Sequence, residues 1–230
     1  MLDSNRILYE DNHYIAVNKN CGDIVQEDKT GDLALIEQVR QFIKVRDRKP
    51  GNVFLEASHR VDRPVSGVIL FAKTSKGLSR INNLFQEGKI KKTYWAVVKN
   101  KPPKESDLLE NYIVRDSKKN KSYVFSKPVK GSKEAKLKYK LVGRTKNYYM
   151  LEIDLITGRH HQIRCQLAKI GCPIRGDLKY GYPRSNPDGG IHLHSRLFEF
   201  IHPISGEEIR IVANPPSDAI WKEFMGLNIE

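Results

Sequence analysis

The chain has 230 residues, 39% of them hydrophobic, which is enough to bury the core of one large domain or of two small ones. Forty lysines and arginines oppose 27 acidic residues, and the formal net charge of +13 favours polyanions such as nucleic acid as partners, unless the charge serves solubility alone. Three cysteines without a CxxC pair argue against a disulfide framework, and because neither a signal peptide nor a membrane-spanning run is present, we expect one domain, 1–230, in the cytoplasm.

The first hundred residues predict short strands and two helices. In chain order, β-branched runs, turn residues and helical spacing predict strands at Ile7–Tyr9 and Tyr14–Lys19, a helix over Leu33–Val45 with Gly31 and Asp32 at its start, strands at Val53–Leu55 and Gly67–Ala72, a helix over Ser75–Phe85 and a strand at Tyr94–Val98.

The remaining residues continue this pattern. The segment 101–138 predicts strands interrupted by lysine-rich hairpin loops at 118–121 and 127–128. Beyond it, the patterns predict strands at Lys136–Leu141 and Tyr148–Leu155, a helix over Arg159–Ile170, strands at Leu193–Ile201 and Glu208–Ala213, and a helix over Ala219–Phe224. Since strands outnumber helices and hairpins dominate, we predict an α+β fold with a largely antiparallel sheet rather than a doubly wound fold.

The segment 58–67 is the first candidate site, because it places one acid among cations directly before an apolar strand. Arg60 and Arg63 flank Asp62. Cations within about 4–6 Å keep a carboxylate ionised and lower its pKa by about 1–3 units, and arginine is a natural phosphate ligand. The pattern suits a carboxylate nucleophile directed at a nucleotide; the alternative is an Asp–Arg pair on a surface turn.

The segment 157–164 is the second candidate site. His160 and His161 lie between Arg159 and Arg164, near the start of the predicted helix. Free backbone N–H groups and guanidinium groups together form an anion site, suited to a phosphate or a partner carboxylate. The alternative is a well-capped surface helix.

Tyr94 is a third candidate, since its hydroxyl follows Lys91 and Lys92 at the start of a strand. It could stack on a base or move a proton, although a strand tyrosine also serves in packing. Cofactor motifs are missing: the sequence contains no HExxH, no GxxxxGK[ST], no GxGxxG and no GxSxG. We therefore expect neither a zinc site nor a nucleotide cofactor, and no serine hydrolase.

Several motifs follow one another along the chain. Residues 59–67 read H-R-V-D-R-P-V-S-G, and further motifs are Val17-Asn18-Lys19, Lys92-Thr93-Tyr94, Thr157-Gly158-Arg159, His161-Gln162-Ile163-Arg164, Pro173-Ile174-Arg175-Gly176-Asp177, Tyr180-Gly181 and Leu193-His194. In this order they resemble the RNA pseudouridine synthases of the RluA type, whose central pattern is near H-R-L-D-R-x-T-S-G. Because the motifs span nearly the whole chain, the match is more specific than any single one.

The resemblance implies a fold, a reaction and a set of residues. The fold would be that of a pseudouridine synthase, with the active-site cleft across a mixed sheet. The reaction would break the C1′–N1 bond of a uridine in RNA, turn the uracil and rejoin it through C5, without metal or cofactor. Asp62 would be the catalytic aspartate, Tyr94 the tyrosine that contacts the target base, and Arg164 the arginine that pairs with the aspartate.

The resemblance and the charge pattern also indicate contacts with the substrate. Extruding a uracil costs about a few kcal/mol, and Arg60 matches the position implicated in displacing the target nucleotide. The full set of expected substrate-binding residues is His59, Arg60, Arg63, Lys92, Arg159, His161 and Gln162. Three routes stay open for Asp62: attack on C1′, abstraction of a ribose proton, or addition to the uracil ring.

The chain departs from the family pattern at Asn20, Val65, His160 and Gln166, and these changes concern substrate choice rather than the predicted catalytic trio. We expect no separate N-terminal RNA-binding domain, so that recognition of ribosomal or transfer RNA rests on a basic surface that includes 118–138, or on a partner protein. We expect a monomer. Two rival functions are a catalytically silent RNA-binding or ribosome-assembly module and an N-glycosidase that releases free base.

Overall fold

The computed structural model describes residues 2–27 and 31–227, which form four α-helices and eleven strands. The helices are α1 (Leu35–Arg46), α2 (Ser75–Gln86), α3 (Gln162–Lys169) and α4 (Ala219–Met225). The strands are β1 (Ile7–Glu10), β2 (Tyr14–Lys19), β3 (Glu56–Ala57), β4 (Ser66–Ala72), β5 (Lys91–Val98), β6 (Ser106–Asp116), β7 (Lys121–Phe125), β8 (Lys133–Arg144), β9 (Tyr149–Leu155), β10 (Leu193–Ile201) and β11 (Glu208–Val212). Within these described ranges, no helix combines the length and apolar character that a membrane span requires.

The chain divides into two compact units, each with its own set of strands. Unit 1 contains the described residues of Met1–Lys91 and Ser195–Asn214, and unit 2 those of Lys92–His194 and Pro215–Glu230. In unit 1 the strand order is β1-β2-β4-β10, with β3 paired to β4 and β11 paired to β10. In unit 2 the order is β5-β9-β8-β6-β7. The single domain over 1–230 stays a prediction.

The centre of unit 1 is β4, every residue of which is buried. Ile69 and Phe71 point towards the cluster around α1, while the alternate residues Val68 and Leu70 contribute to the cluster around α2 and β11. Burial on both faces explains the uninterrupted apolar run in the sequence. The strand therefore provides a rigid support for the loop that precedes it.

In unit 2, helices pack at two places on the strands. Trp221 and Phe224 of α4 share a cluster with Trp95 and Val97 of β5, and Asp218 begins α4 by accepting the backbone N–H groups of Ile220 and Trp221. Elsewhere, Cys165 of α3 packs with residues of β6 and β8. Alternate residues of β8 are buried, as expected for a strand with one covered face.

The predicted α+β class with a mostly antiparallel sheet is confirmed, since the described residues form both helices and strands and the described registers are antiparallel. Most predicted elements are present with small shifts at their ends. The strand predicted at Val53–Leu55 is wrong: Val53 and Leu55 are buried in the α1 cluster and Phe54 is exposed, but pairing with β4 begins only at Glu56. The helix predicted from Arg159 begins three residues later, at Gln162, because His161 has a left-handed backbone with φ 53°.

Candidate active site

Asp62 lies on a tight turn between β3 and β4 in unit 1. The backbone N–H of Val65 donates to the Asp62 carbonyl at 3.0 Å, which closes a β-turn over residues 62–65, hereafter the Asp62 turn. Asp62 is half-buried, and Val65 is buried where the chain enters β4. The turn therefore presents the carboxylate directly beside the central strand.

A buried ammonium group lies beneath the Asp62 turn. Lys19, at the end of β2, is 0% exposed, and its Nζ donates to the carbonyls of Asn20, Arg63 and Val65 at 2.9, 3.0 and 2.7 Å. Burial lowers the pKa of Lys19 to about 8, an effect that nearby acids, including Asp62, partly oppose. Since two of these three carbonyls belong to the turn, Lys19 fixes its backbone.

Two further contacts hold the same segment. The backbone N–H of Gly22 donates to the Arg63 carbonyl at 3.0 Å, and the Cys21 thiol lies 3.4 Å from the Pro64 carbonyl. After the turn, Gly67 has φ +113°, and a Cβ atom there would lie 2.6 Å from the amide nitrogen of Ser195. Only glycine suits this position, on grounds of both conformation and space.

The basic residues near Asp62 in the sequence differ in their surroundings. His59 stacks on Phe198 with ring centroids 4.9 Å apart, and its Nε2 lies 3.3 Å from the Val68 carbonyl, so it anchors the start of the loop. Arg63 is exposed and forms an ion pair with Asp32 at 2.6 Å. Arg60 is also exposed and makes no hydrogen bond or ion pair with a described residue. Contact of these three residues with substrate stays a prediction.

Tyr94 and Lys92 lie on β5 in unit 2. Tyr94 is 6% exposed and is in register with Ile153 of β9. Lys92 is half-buried, and burial lowers its pKa, while Asp154 on β9 opposes this shift. A Cβ atom on Gly158 would lie 3.9 Å from the Lys92 ammonium, so this predicted substrate ligand lies beside the second candidate segment.

Gln162 shapes the turn that precedes α3. Its Oε1 accepts the Arg159 backbone N–H at 2.9 Å and the Thr157 hydroxyl at 2.8 Å, and its Nε2 donates to the Lys136 carbonyl at 3.1 Å. The side chain of Arg159 is exposed, and its Nε donates to the Glu134 carbonyl at 2.8 Å. These bonds place Arg159 outside the helix, and they give Gln162 an organising role that the sequence did not indicate.

His161, the residue before α3, is buried and uncharged. Its Nδ1 lies 2.9 Å from the Tyr180 hydroxyl, and its ring stacks on His160 with centroids 3.8 Å apart. Burial, together with the charges of Arg164 and other nearby cations, lowers the pKa of His161 to about 2. The predicted cationic anion site therefore contains a neutral imidazole at this position.

Arg164, on α3, forms a buried ion pair within unit 2. Its Nε and Nη2 donate to the two carboxylate oxygens of Asp177 at 2.7 and 2.8 Å. The two side chains are 6% and 1% exposed. This two-point geometry is the strongest form of the arginine–carboxylate interaction, and it fixes the plane of the guanidinium group.

Sequence reasoning missed the supporting residues Lys19, Asp177 and Tyr180, although all three stand in the quoted motifs. A lysine directly after the apolar residues of β2 was the available signal for Lys19, because a cation at that place needs acceptors. Two further histidines lie next to acids: His192 lies 3.2 Å from Asp218 and His202 lies 2.9 Å from Asp11. In the described part of the chain, no group of three His, Cys, Asp or Glu side chains is placed to hold a metal ion.

Comparisons with known proteins identify the family. A family model described as RNA pseudouridylate synthase matches residues 13–169. The chain is 32% identical over 228 residues to the ribosomal large subunit pseudouridine synthase C of Buchnera aphidicola, covering 96% of this chain and 70% of that protein. It is 30% identical over 237 residues to the tRNA pseudouridine synthase C of Vibrio parahaemolyticus, covering 94% of this chain and 92% of that protein.

Solved structures agree on the fold. The structure of human RNA pseudouridylate synthase domain containing 4 aligns with a TM-score of 0.79 and 22% identity over 95% of this chain and 91% of that chain. A second human structure, RNA pseudouridylate synthase domain containing 1, aligns with a TM-score of 0.73 and 20% identity over 96% of this chain and 89% of that chain. With a family model that covers well over half of its residues, the chain belongs to the RNA pseudouridylate synthases.

Proposed function

We propose that this enzyme isomerises one or a few uridines in ribosomal or transfer RNA to pseudouridine, with Asp62 as the catalytic carboxylate. The observation that carries the proposal is the Asp62 turn, in which a buried ammonium bonds the backbone carbonyls of Arg63 and Val65 directly after the acid. A fixed backbone places a carboxylate reproducibly for attack or proton transfer. We propose that it works in the cytoplasm and acts as a monomer.

The reaction balances without a further reactant. The C1′–N1 bond breaks and a C1′–C5 bond forms, while the C5 hydrogen leaves to water and N1 gains a proton. Asp62 attacks C1′, removes a ribose proton or adds to the uracil ring. Tyr94 contacts the target base, and Arg164 serves the catalytic aspartate, as the family resemblance implies. Arg60 fills the place of the extruded nucleotide, and the remaining predicted ligands bind the surrounding RNA.

We propose that a basic region of unit 2 binds the RNA. The turn 117–120 and the segment 126–132 carry exposed lysines: Lys118, Lys119, Lys127 and Lys130. Between them, Tyr123 and Phe125 of β7 are each 38% exposed. Lysines neutralise phosphates and aromatic rings stack on bases, so this combination suits RNA rather than a solvated face alone.

Release of tritium from RNA labelled at uracil C5 tests the reaction. The unaltered protein should release tritium and form pseudouridine, and Asp62→Asn should release none. Asp47→Asn is the matched control, since Asp47 is a second acid of unit 1 whose partners are Arg46 and Lys49. Release that is equal in Asp62→Asn and the control would contradict the role of Asp62.

The same assay separates the rival functions. A silent RNA-binding or assembly module would bind RNA without releasing tritium from ribosomal or transfer RNA. An N-glycosidase would yield free uracil and abasic RNA in place of pseudouridine. Mapping pseudouridine in both RNA classes, taken from a strain that lacks the protein, identifies the target, because the site should reappear after incubation with the purified enzyme.

A further inference from the structure

The guanidinium of Arg164 is enclosed by Asp177 and Tyr180. Asp177 accepts hydrogen bonds on one edge of the group, from Nε and Nη2. Tyr180 covers its face, with the ring centroid 5.2 Å from Arg164 Cζ. The plane and the edge of the guanidinium are thereby both defined within unit 2.

This arrangement is costly if its purpose is stability alone. Both members of the pair are almost fully buried, at 6% and 1% side-chain exposure. Removing two charges from water costs several kcal/mol each, and buried ion pairs can often be replaced by packed apolar residues without loss of stability. The clearest benefit of a buried two-point ion pair is that it holds the guanidinium in a single orientation.

The residues around Arg164 are themselves held in place. Asp177 precedes the short 3₁₀ turn Leu178–Tyr180, and its backbone carbonyl accepts the N–H groups of Tyr180 and Tyr182 at 3.1 and 3.0 Å. The Tyr180 hydroxyl accepts the Ser122 backbone N–H at 2.8 Å and also lies 2.9 Å from Nδ1 of His161. In the neutral tautomer of His161 that carries its proton on Nε2, Nδ1 accepts the Tyr180 hydroxyl proton.

We propose that Asp177 and Tyr180 are positioning residues that set the orientation of Arg164 for the isomerisation. Asp177 fixes the edge of the guanidinium, and Tyr180, anchored by Ser122 and His161, fixes its plane. The inference rests on the proposed function, in which Arg164 serves the catalytic aspartate. Neither residue touches the substrate in this scheme.

Variants of Asp177 and Tyr180 have distinct expected effects. Asp177→Asn replaces one acceptor oxygen by an N–H donor that faces the guanidinium, so kcat for tritium release should fall about 10- to 100-fold with little change in KM for RNA. Tyr180→Phe keeps the ring and loses its anchors, and it should cost less than Tyr180→Leu, which loses the covering ring. These Tyr180 variants keep the proposal testable if Asp177→Asn does not fold.

A double-mutant cycle distinguishes positioning from a structural role. If Asp177 acts through Arg164, Asp177→Asn should lower kcat no further in an Arg164→Lys background. Asp218→Asn is the control, because it removes the carboxylate charge 3.2 Å from His192 in the same unit and should change the unfolding midpoint but not kcat. Equal losses of kcat from Asp177→Asn in both backgrounds, or an unchanged kcat in Tyr180→Leu, would overturn the proposal.

The NMR signal of the Arg164 Nε–H group provides a readout independent of activity. Its slow exchange with water should be lost in Asp177→Asn and kept in Asp218→Asn. A signal that persists in Asp177→Asn would refute the orienting role even in an inactive protein. Absence of pseudouridine formation by the unaltered enzyme would instead refute the proposed function.

Discussion

Each unit contains a buried cation of the predicted active site. In unit 1 it is Lys19, which supports the Asp62 turn, and in unit 2 it is Arg164 itself, and the two cations have different hydrogen-bond partners. In unit 1, Lys19 donates to three neutral carbonyls next to Asp62. In unit 2, Arg164 donates to the carboxylate of Asp177. Neutral acceptors do not offset desolvation completely, which is why burial lowers the pKa of Lys19 to about 8.

The two cations illustrate two ways of holding part of the predicted active site in one conformation. An ammonium with three donors suits a backbone turn, because it joins carbonyls that point in different directions. A planar guanidinium suits a side chain whose orientation matters, because a carboxylate binds it at two points. The hydrogen bonds from Lys19 to the Asp62 turn weaken when Lys19 loses a proton in alkaline solution, since a neutral amine has only two N–H groups for three carbonyls.

The largest expected effect comes from removing the guanidinium. Arg164→Leu leaves the carboxylate of Asp177 buried without its partner, and the free energy of unfolding should fall by about 3–5 kcal/mol. Urea unfolding measures this. The double variant Arg164→Leu/Asp177→Leu should recover most of the loss, and a double variant as unstable as the single one would contradict the account of the pair.

Removal of the ammonium should have a smaller effect. Lys19→Met removes the lysine donor from the Asn20, Arg63 and Val65 carbonyls, of which Arg63 keeps the Gly22 backbone N–H, and it leaves no unpaired charge, so the expected loss is about 1–3 kcal/mol in urea unfolding. Activity should fall as well, because the Asp62 turn loses its support. Lys73→Met, at a half-buried lysine of unit 1 that bonds Glu10 and the Asp11 carbonyl, is the control and should keep activity. Loss of activity in the control alone would contradict this assignment.

The surroundings of Arg164 predict a response to acid. The pKa of His161 is about 2 in the folded protein and 6.5 in the unfolded chain, so only the unfolded chain binds this proton between these pH values, and stability falls as the pH drops below 6.5. From pH 8 to pH 5.5 the free energy of unfolding should fall by about 1.4 kcal/mol through this group. His161→Asn, which tolerates the left-handed backbone, should reduce this fall, and unfolding at both pH values measures it.

The smallest effect is expected at the exposed ion pair of unit 1. Arg63 and Asp32 are 46% and 52% exposed, so Asp32→Ala should change the free energy of unfolding by less than about 1 kcal/mol. Urea unfolding at low and high salt measures this. A loss comparable to that of Arg164→Leu would show that burial does not explain the contrast between the pairs.

Local patterns predicted much of the fold. The strands β2 and β4 were predicted because their apolar runs reflect burial on both faces. The start of α3 was predicted three residues too early. The left-handed backbone of His161 is accompanied by contacts with Tyr180 and His160, and no local sequence pattern indicates these contacts. Turn contacts of this kind override helical periodicity.

The predicted site was partly accessible from sequence. Asp62 was expected on a turn before a strand, and it lies there. The pairing of Arg164 with Asp177, 13 residues further along the chain, was not foreseen, because no periodicity links a helix to the 3₁₀ turn that follows it. Likewise, the three carbonyls that bind Lys19 are backbone groups, which carry no signal in the choice of amino acid.

Cys21 gives the Asp62 turn a native reporter. Of the three cysteines, Cys165 and Cys172 are buried, whereas Cys21 is half-buried with its sulfur beside the Pro64 carbonyl. A thiol-reactive fluorophore or a ¹⁹F tag would therefore attach preferentially at the base of this turn without any engineered residue. A change in its reaction rate or signal on addition of RNA would report a change in the surroundings of the turn.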